Sequence, residues 1–458
     1  MSNYKIIIGI STFVYAVFIF TYPASYFNDD SLFLANGIKN FSVIDFSPHF
    51  PGYPSVVIFG KIINFFIDDA KYSLFILTAL SAILLPLVLF LYTKKLQNEK
   101  TAFIVFVLSI TTPYLMNLSL CMLSESVGLL FFFLGLYFLE LNFLHNLKTR
   151  FQIKFGMTRF LSFSNHEFTN CHPELTNCHP ELDSGSSFAK NLLKKQRLSG
   201  IIFAISFFSR PSYFIVFIAV FIYLYIFKKD SLKPVLVWFF STSVLFLLFI
   251  FINNGMLYFY EGVRFVEGHF SLWGRGQNSE LSWFDNIFSV INIPYVFLLF
   301  LPFKQEKKFM LLYILFVFYF CWILFAQNPD SLRHIIPLVF IANIFLATYL
   351  KKANILLFLI LSFNIFHILK YDEKISPIEQ IAQNIALTDR IIVANRGIEI
   401  LRTVYNHRVA DNYYHDSANY LNEKDTVYII TAQKPKEASY EIYKGRFVGE
   451  KTLYLLKN

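Results

Sequence analysis

Long apolar runs separated by short polar stretches fill the first 370 residues of the chain. Crossing about 30 Å of hydrocarbon takes about 20 residues at about 1.5 Å per residue. On that measure the pattern predicts about eleven spans, at roughly 4–22, 71–93, 101–117, 122–144, 198–209, 211–227, 234–253, 286–302, 309–326, 334–350 and 353–370. The run at 198–209 is short alone and meets the next at Arg210-Pro211, where a turn at the membrane surface is expected. The loop 23–70 holds a helical stretch, Leu32–Ile38, and an apolar one, Ser55–Ile67, that lies along or dips into the membrane surface. After Lys370 the pattern changes. Ser376-Pro377-Ile378-Glu379 reads as an N-cap, an N1 proline and a capping-box Glu. Ile378, Ile381, Ala382, Ile385 and Ala386 then share one helical face. Strand-like runs follow at Arg390–Ala394, Arg408–Ala410, Thr426–Ala432 and Thr452–Leu456. The expected fold is an α-helical polytopic membrane protein with about eleven transmembrane helices (1–370). A small C-terminal α/β extramembrane domain (371–458) with a mostly parallel sheet follows.

Composition agrees with this pattern. Of 458 residues 55% are hydrophobic and 16% charged, with mean hydropathy +0.50, a balance that leaves too few charges to cover a water-soluble surface. The net charge of +9 could point to nucleic acid, but no basic stripe with interleaved aromatics is present, and that partner is excluded. The basic residues sit between spans instead. Lys94, Lys95 and Lys100, then Lys228, Lys229 and Lys233, then Lys304, Lys307 and Lys308, then Lys351 and Lys352 all fall on one side of an eleven-span arrangement, with Lys5 and segment 145–197. Such a bias marks the cytoplasmic side. The expectation is a multi-pass protein of a bacterial inner (plasma) membrane, N-terminus cytoplasmic and C-terminal domain periplasmic or extracellular. Four cysteines, two in or beside apolar spans, imply no disulfide framework. Met1–Phe20 lacks a small-x-small cleavage site and reads as a retained first span.

Segment 145–197 is polar and contains a tandem duplication, Thr169–Leu175 repeated at once as Thr176–Leu182 (TNCHPEL). The duplication by itself generates Cys171, His172, Cys178 and His179, without the C-x₂₋₄-C spacing of a zinc site, so no metal is assigned. The stretch resembles a translated repeat element inserted into a cytoplasmic loop that tolerates insertion.

The candidate chemistry lies in the first outer loop. Asn28-Asp29-Asp30-Ser31 follows the first span directly, and Ser47-Pro48-His49-Phe50-Pro51-Gly52-Tyr53-Pro54 places three prolines in eight residues. An Asp pair at a helix start can act as a general base, bind a divalent cation, or merely cap the helix. The proline-rich stretch can equally be a rigid surface corner.

The acidic pair, the aromatic at Phe33 and the run His49–Pro54 resemble the first outer loop of the GT-C glycosyltransferases. These are the polytopic enzymes related to protein O-mannosyltransferases and the bacterial aminoarabinose transferase of lipid A. Ser209-Arg210-Pro211 before Tyr213–Phe227, and Ser331-Leu332-Arg333-His334-Ile335-Ile336-Pro337, resemble the Arg-Pro segments of the same family. The family often has two adjacent prolines where this chain has Phe50-Pro51. The resemblance implies an inverting transferase that moves a sugar from a polyprenyl-phosphate donor to a glycan or glycolipid acceptor of the cell envelope. Asp29 would be the base, Asp30 the second acid, and His49, Pro51 and Tyr53 part of the substrate loop. The leaving phosphate needs cations; Arg210, Arg264, Arg275, Arg333 and His334 are the candidates, Arg333 and Arg210 foremost because both sit in matched segments, and an Arg fork can make two charge-assisted bonds to phosphate. No cofactor is required, although a divalent cation stays open. Residues 254–285 mix Tyr258, Tyr260, Glu261, Glu267, His269, Trp273 and Trp283 with these arginines, which suits a sugar site or an interfacial belt. Two other classes compete: a transporter or flippase of envelope lipids, which would place ionisable groups at mid-membrane, and a non-catalytic scaffold acting through the outer domain.

Overall fold

The computed structural model describes residues 3–139, 182–274, 279, 281–296, 307–385, 391–411, 427–436 and 439–457. The chain is a mostly helical membrane protein. Its helices are α1 (Asn3–Phe20), α2 (Asp29–Lys39), α3 (Pro54–Ile67), α4 (Ala70–Leu96), α5 (Glu99–Thr111), α6 (Pro113–Leu120), α7 (Glu125–Leu139), α8 (Leu182–Ser209), α9 (Phe214–Phe227), α10 (Lys229–Asn254) and α11 (Leu257–Gly268). Short α12 (Trp283–Ile287) and α13 (Ile293–Val296) precede α14 (Met310–Ala326), α15 (Ile336–Leu350), α16 (Asn354–Leu369) and α17 (Pro377–Asn384). Among the described residues three helices are long and apolar enough to cross a bilayer alone: α4, α10 and Leu332–Leu350, which includes α15. A fourth crossing is possible through α5 and α6, which meet at a 59° bend where Pro113 opens the second helix. Shorter apolar helices occupy most of the other expected runs.

Two local differences from the sequence reading have physical causes. The run at 198–209 is the end of the 28-residue α8, so residues 182–197 are its first turns. Its early part is polar, and a hydropathy threshold therefore cuts it short. The run at 286–302 is broken in its described part into α12, a 3-10 turn Val290–Asn292 and α13, where Asn286 and Asn292 turn their side chains to backbone carbonyls. The TNCHPEL repeat and Arg275 lie outside the described residues.

Lipid tails do not drive helices together, so close packing and buried hydrogen bonds must. The α7–α8 seam shows both. Ser199 donates to the Gly135 carbonyl at 3.0 Å and Ser206 to the Gly128 carbonyl at 2.7 Å, two serines and two glycines each seven residues apart. A Cβ on Gly128 would stand 2.8 Å from Arg210 Cβ and 3.2 Å from the Tyr213 ring, so only glycine lets the chain at Arg210 lie this close to α7.

The C-terminal residues form α17 and a five-stranded sheet, β1 (Ile392–Ala394), β2 (Val409–Asp411), β3 (Tyr428–Thr431), β4 (Tyr440–Tyr443) and β5 (Leu453–Lys457), in the order β2-β1-β3-β5-β4. β1 pairs in parallel with β2 and β3, whereas β5 runs antiparallel to both β3 and β4. The sheet is therefore mixed, not mostly parallel: β4 and β5 are joined by a short connection, and strands so joined pair antiparallel.

The domain sits on the end of the bundle. Asn117 donates to the Val448 carbonyl at 2.8 Å, and the fully buried Arg446, paired with Glu450 at 2.7 Å, donates to the Ser25 carbonyl at 3.2 Å. Glu379 does not close the expected capping box. Ser376 accepts from the Glu379 N–H at 3.4 Å, but the Glu379 carboxylate turns to Ser25, Tyr26 and Lys71, and Ser25 Oγ accepts the Ser376 N–H at 2.9 Å in its place.

Candidate active site

The site is assembled where α2, the proline-rich turn, the start of α7, the end of α8 and the 3-10 turn Leu332–Ile335 converge. Its first question is what the Asp pair does. Asn28, not either Asp, caps α2: its side chain accepts from the Ser31 N–H, and Ser31 Oγ accepts from the Asn28 N–H at 3.2 Å. Asp29 and Asp30 occupy the first turn, where negative charge suits the helix dipole. Being adjacent on a helix they point about 100° apart and meet different partners.

Asp30 faces the bundle. Its Oδ2 receives Arg333 Nη1 at 3.3 Å and Nη2 at 3.4 Å, and its Oδ1 lies 3.8 Å from His49 Nδ1. Arg333 Nε stands 3.5 Å from Glu125 Oε1, and Arg210 Nη2 approaches the same oxygen at 3.0 Å. A second nitrogen of Arg210 donates to Ser124 Oγ at 3.4 Å. The line Asp30–Arg333–Glu125–Arg210 thus alternates in charge and joins residues 30, 125, 210 and 333. Glu125 is 2% exposed, and the two guanidiniums that flank it compensate a carboxylate withdrawn from water. Burial raises the Asp30 carboxyl, but the positive charges around it, His49 when protonated and Arg333 and Arg210 always, together hold it below its ordinary value.

The turn that delivers His49 is built by Ser47–Pro54, with cis bonds at Ser47-Pro48 and Phe50-Pro51. Gly52 has φ +89°, and a Cβ there would press on Val43 at 2.9 Å and Phe41 at 3.1 Å, so the tight packing requires glycine. His49 Nε2 and Tyr53 Oη are 3.1 Å apart, and the imidazole stacks on Phe265 of α11 at 5.3 Å between centroids. Burial pushes His49 below its ordinary range, against the pull of Asp30, so the ring is neutral at pH 7. Burial pushes the Tyr53 hydroxyl up to about 12, so it remains protonated. Tyr258 of α11 reaches the Pro51 carbonyl at 3.4 Å.

Asp29 faces the other way, towards the C-terminal domain. Its Oδ1 accepts the backbone N–H groups of Glu399 at 3.1 Å and Ile400 at 3.2 Å, and its Oδ2 has no hydrogen-bond partner among the described residues. Burial raises its pKa to about 6, the two backbone bonds oppose this, and Asp30 and Glu399 add to the rise. A carboxylate with one bonded and one available oxygen, titrating near 6, is suited to take a proton from a hydroxyl at neutral pH.

Of the residues expected from sequence, Asp30, His49, Tyr53, Arg210 and Arg333 are brought together, and buried His334 lies beside Arg333 on the same turn. Arg264 stands apart: its side chain is 66% exposed and pairs with Glu261 on its own helix. Glu125 is not among the residues expected from sequence. Its signal was there, an ionisable residue in the apolar run around Cys121–Leu130. The Glu399–Ile400 backbone carries no side-chain signal at all. Among the described residues no group of three or more His, Cys, Asp or Glu side chains is arranged to hold a metal ion.

The helical bundle beneath a small α/β domain is a fold shared with solved structures of other proteins. Among solved structures it is similar to ArnT from Cupriavidus metallidurans bound to undecaprenyl phosphate, with TM-score 0.54 and 8% identity over 99% of this chain and 98% of that one. The apo state of the same protein gives 0.53 and 9% over the same shares. The Archaeoglobus fulgidus oligosaccharyltransferase tethered with an acceptor peptide containing the NVT sequon gives 0.50 and 11%, over 93% of this chain and 69% of that one. At these identities the likeness is one of fold. No protein-family model matches the sequence, and neither does any curated protein.

Proposed function

We propose that the protein is an inverting membrane glycosyltransferase that moves a sugar from a polyprenyl-phosphate donor to a glycan or glycolipid acceptor of the cell envelope, at the outer face of the membrane. The observation that carries this reading is the division of labour within the Asp pair: Asp29 is partly unbonded and titrates near 6, while Asp30 is committed to Arg333. The fold likeness to a protein bound to undecaprenyl phosphate supports the choice of donor. In the proposed step an acceptor hydroxyl oxygen attacks the anomeric carbon from the face opposite the phosphate. Asp29 takes the hydroxyl proton as the bond from anomeric carbon to phosphate oxygen breaks. The bonding pair leaves with polyprenyl phosphate, whose growing negative charge Arg333 and Arg210 stabilise. Both arginines are held in place by Asp30 and Glu125, so they need little reorganisation as that charge develops. The buried His334 and the His49–Tyr53 pair line the same region.

A transporter reading fits less well. The ionisable groups gather at helix ends around the first outer loop, where surface chemistry would take place. The test is donor turnover: purified protein in lipid is incubated with a panel of polyprenyl-phosphate sugars and crude envelope glycolipids, and release of polyprenyl phosphate is followed. Release that vanishes in Asp29→Asn, with the variant folded, supports the reading. No release from a folded wild type across the panel refutes it.

A further inference from the structure

We infer that the C-terminal domain is part of the reaction centre: docked through Glu379, it presents the backbone N–H groups of Glu399 and Ile400 to Asp29, which makes Glu379 a positioning residue for that carboxylate. The inference rests on the reading of Asp29 as the base.

The path is short and closed. Glu379 is 2% exposed and held by Lys71 Nζ at 2.8 Å, Ser25 Oγ at 2.9 Å and the Tyr26 N–H at 3.0 Å. Tyr26 is three residues before Asp29. On the domain side Glu379 lies in the first turn of α17, and Ile378 beside it packs on Gly397, whose φ of +63° lets the chain turn there. The one-turn π-helix Ile400–Val404 follows at once, with Ile400 and Leu401 fully buried. From Glu379 through Gly397 to the N–H groups at 399 and 400, and from Ser25 through Tyr26 to Asp29, two rigid segments are therefore fastened at both ends. Releasing Glu379 removes the fastening nearest Asp29 on this side and leaves the domain held there by the Asp29 bonds and, further off, by the Asn117–Val448 and Arg446–Ser25 contacts.

The charged groups facing Asp29 are Asp30 on its own helix and Glu399 on the domain, both negative, with Glu399 paired to Arg402 at 3.0 Å. Among the described residues the two backbone donors stand against them. Without the docked domain Asp29 would lose the two donors that fix its orientation, together with burial and the Glu399 charge, which raise it.

Glu399→Ala and Glu399→Pro in the full-length protein in lipid separate these effects. Both delete the carboxylate, but only proline deletes the N–H, and Glu399 has φ −72°, close to the value proline requires. The readouts are the infrared titration of the Asp29 carboxyl, taken as the difference from Asp29→Asn, and kcat and KM for polyprenyl phosphate release. Glu399→Ala should move the titration to lower pH than wild type. Glu399→Pro should titrate above Glu399→Ala and lower kcat by about tenfold to a hundredfold relative to it, with KM for donor unchanged. Glu379→Ala, by loosening the domain that buries Asp29, should move the titration below that of wild type and lower kcat, with partial rescue in Glu379→Gln, which retains an acceptor for Tyr26. The inference is overturned if Glu399→Pro titrates with Glu399→Ala and Glu379→Ala with wild type. The infrared comparison decides this even where the wild type releases no polyprenyl phosphate, an outcome that would count against the proposed function alone.

Discussion

Glu125 is the hinge of the charge network, and its replacement by Gln is the sharpest test of how the site is held. The carboxylate is 2% exposed and serves Arg210 at 3.0 Å and Arg333 at 3.5 Å through one oxygen. Glutamine keeps the shape and removes the charge, leaving two buried guanidiniums with only Asp30 between them. Breaking a buried pair by removing one partner costs about 3–5 kcal/mol, mostly because the surviving charge is uncompensated. Glu125→Gln should therefore unfold at a clearly lower temperature in lipid nanodiscs. The reasoning also fixes the sign of a second measurement. With two cations less neutralised, the variant should bind polyprenyl phosphate more tightly than wild type, and saturating polyprenyl phosphate should restore a larger part of its thermal stability, since a ligand that binds only the folded state stabilises it by RT ln(1 + [L]/Kd). Removing Arg210 as well, in Glu125→Gln/Arg210→Met, should recover part of the loss, a coupling a double-mutant cycle would expose. A Glu125→Gln protein with wild-type melting and unchanged lipid affinity would show that the network is not held electrostatically, and would sink the account of Arg210 and Arg333 given above.

Three further outcomes are expected. Asp29 in the folded chain keeps its proton up to about pH 6 against an ordinary value of 3.8, so protonation favours the fold: stability should rise as pH falls from 6 towards 4 while transfer declines over the same window, as thermal melts and a kcat/KM profile would record. Gly128→Val would drive a side chain into Arg210 and Tyr213 and should cost about 1–3 kcal/mol and lower transfer, with Gly128→Ala milder; melting and turnover together check this. Arg264→Ala should keep release of polyprenyl phosphate within about twofold of wild type, as surface changes remote from the site do.

What could be read in the chain follows from the range of the forces involved. Apolar runs announce their helices because each must bury its own backbone polar groups within the segment. Broken or half-polar cases such as 286–296 and the start of α8 are decided by neighbours and went astray. β4 was missed for a related reason. Tyr440–Tyr443 is an edge strand of four residues with its middle residues exposed, too short a run to stand out from its polar surroundings. In the site, Asp30, Arg210 and Arg333 were legible as charged residues at run boundaries, and the fold supplied their pairing. The roles of Glu125 and Glu379 are set by partners 85 or more residues away in sequence. A Glu opening a helix after Ser-Pro looks like a capping box, and only the arrival of Ser25 shows that its carboxylate is used elsewhere.

The serine–glycine seam between α7 and α8 has a consequence for how this chain can change over evolutionary time. Its two bonds, seven residues apart, set the register of the hairpin from within the helices. The sequence between residues 140 and 181 therefore need not encode that register. A duplicated heptapeptide can be written into that stretch of the gene without disturbing the alignment that puts Arg210 beside Glu125. The same seam would absorb a tag, a reporter or a deletion there, which makes this connection the natural point of entry for engineering the protein.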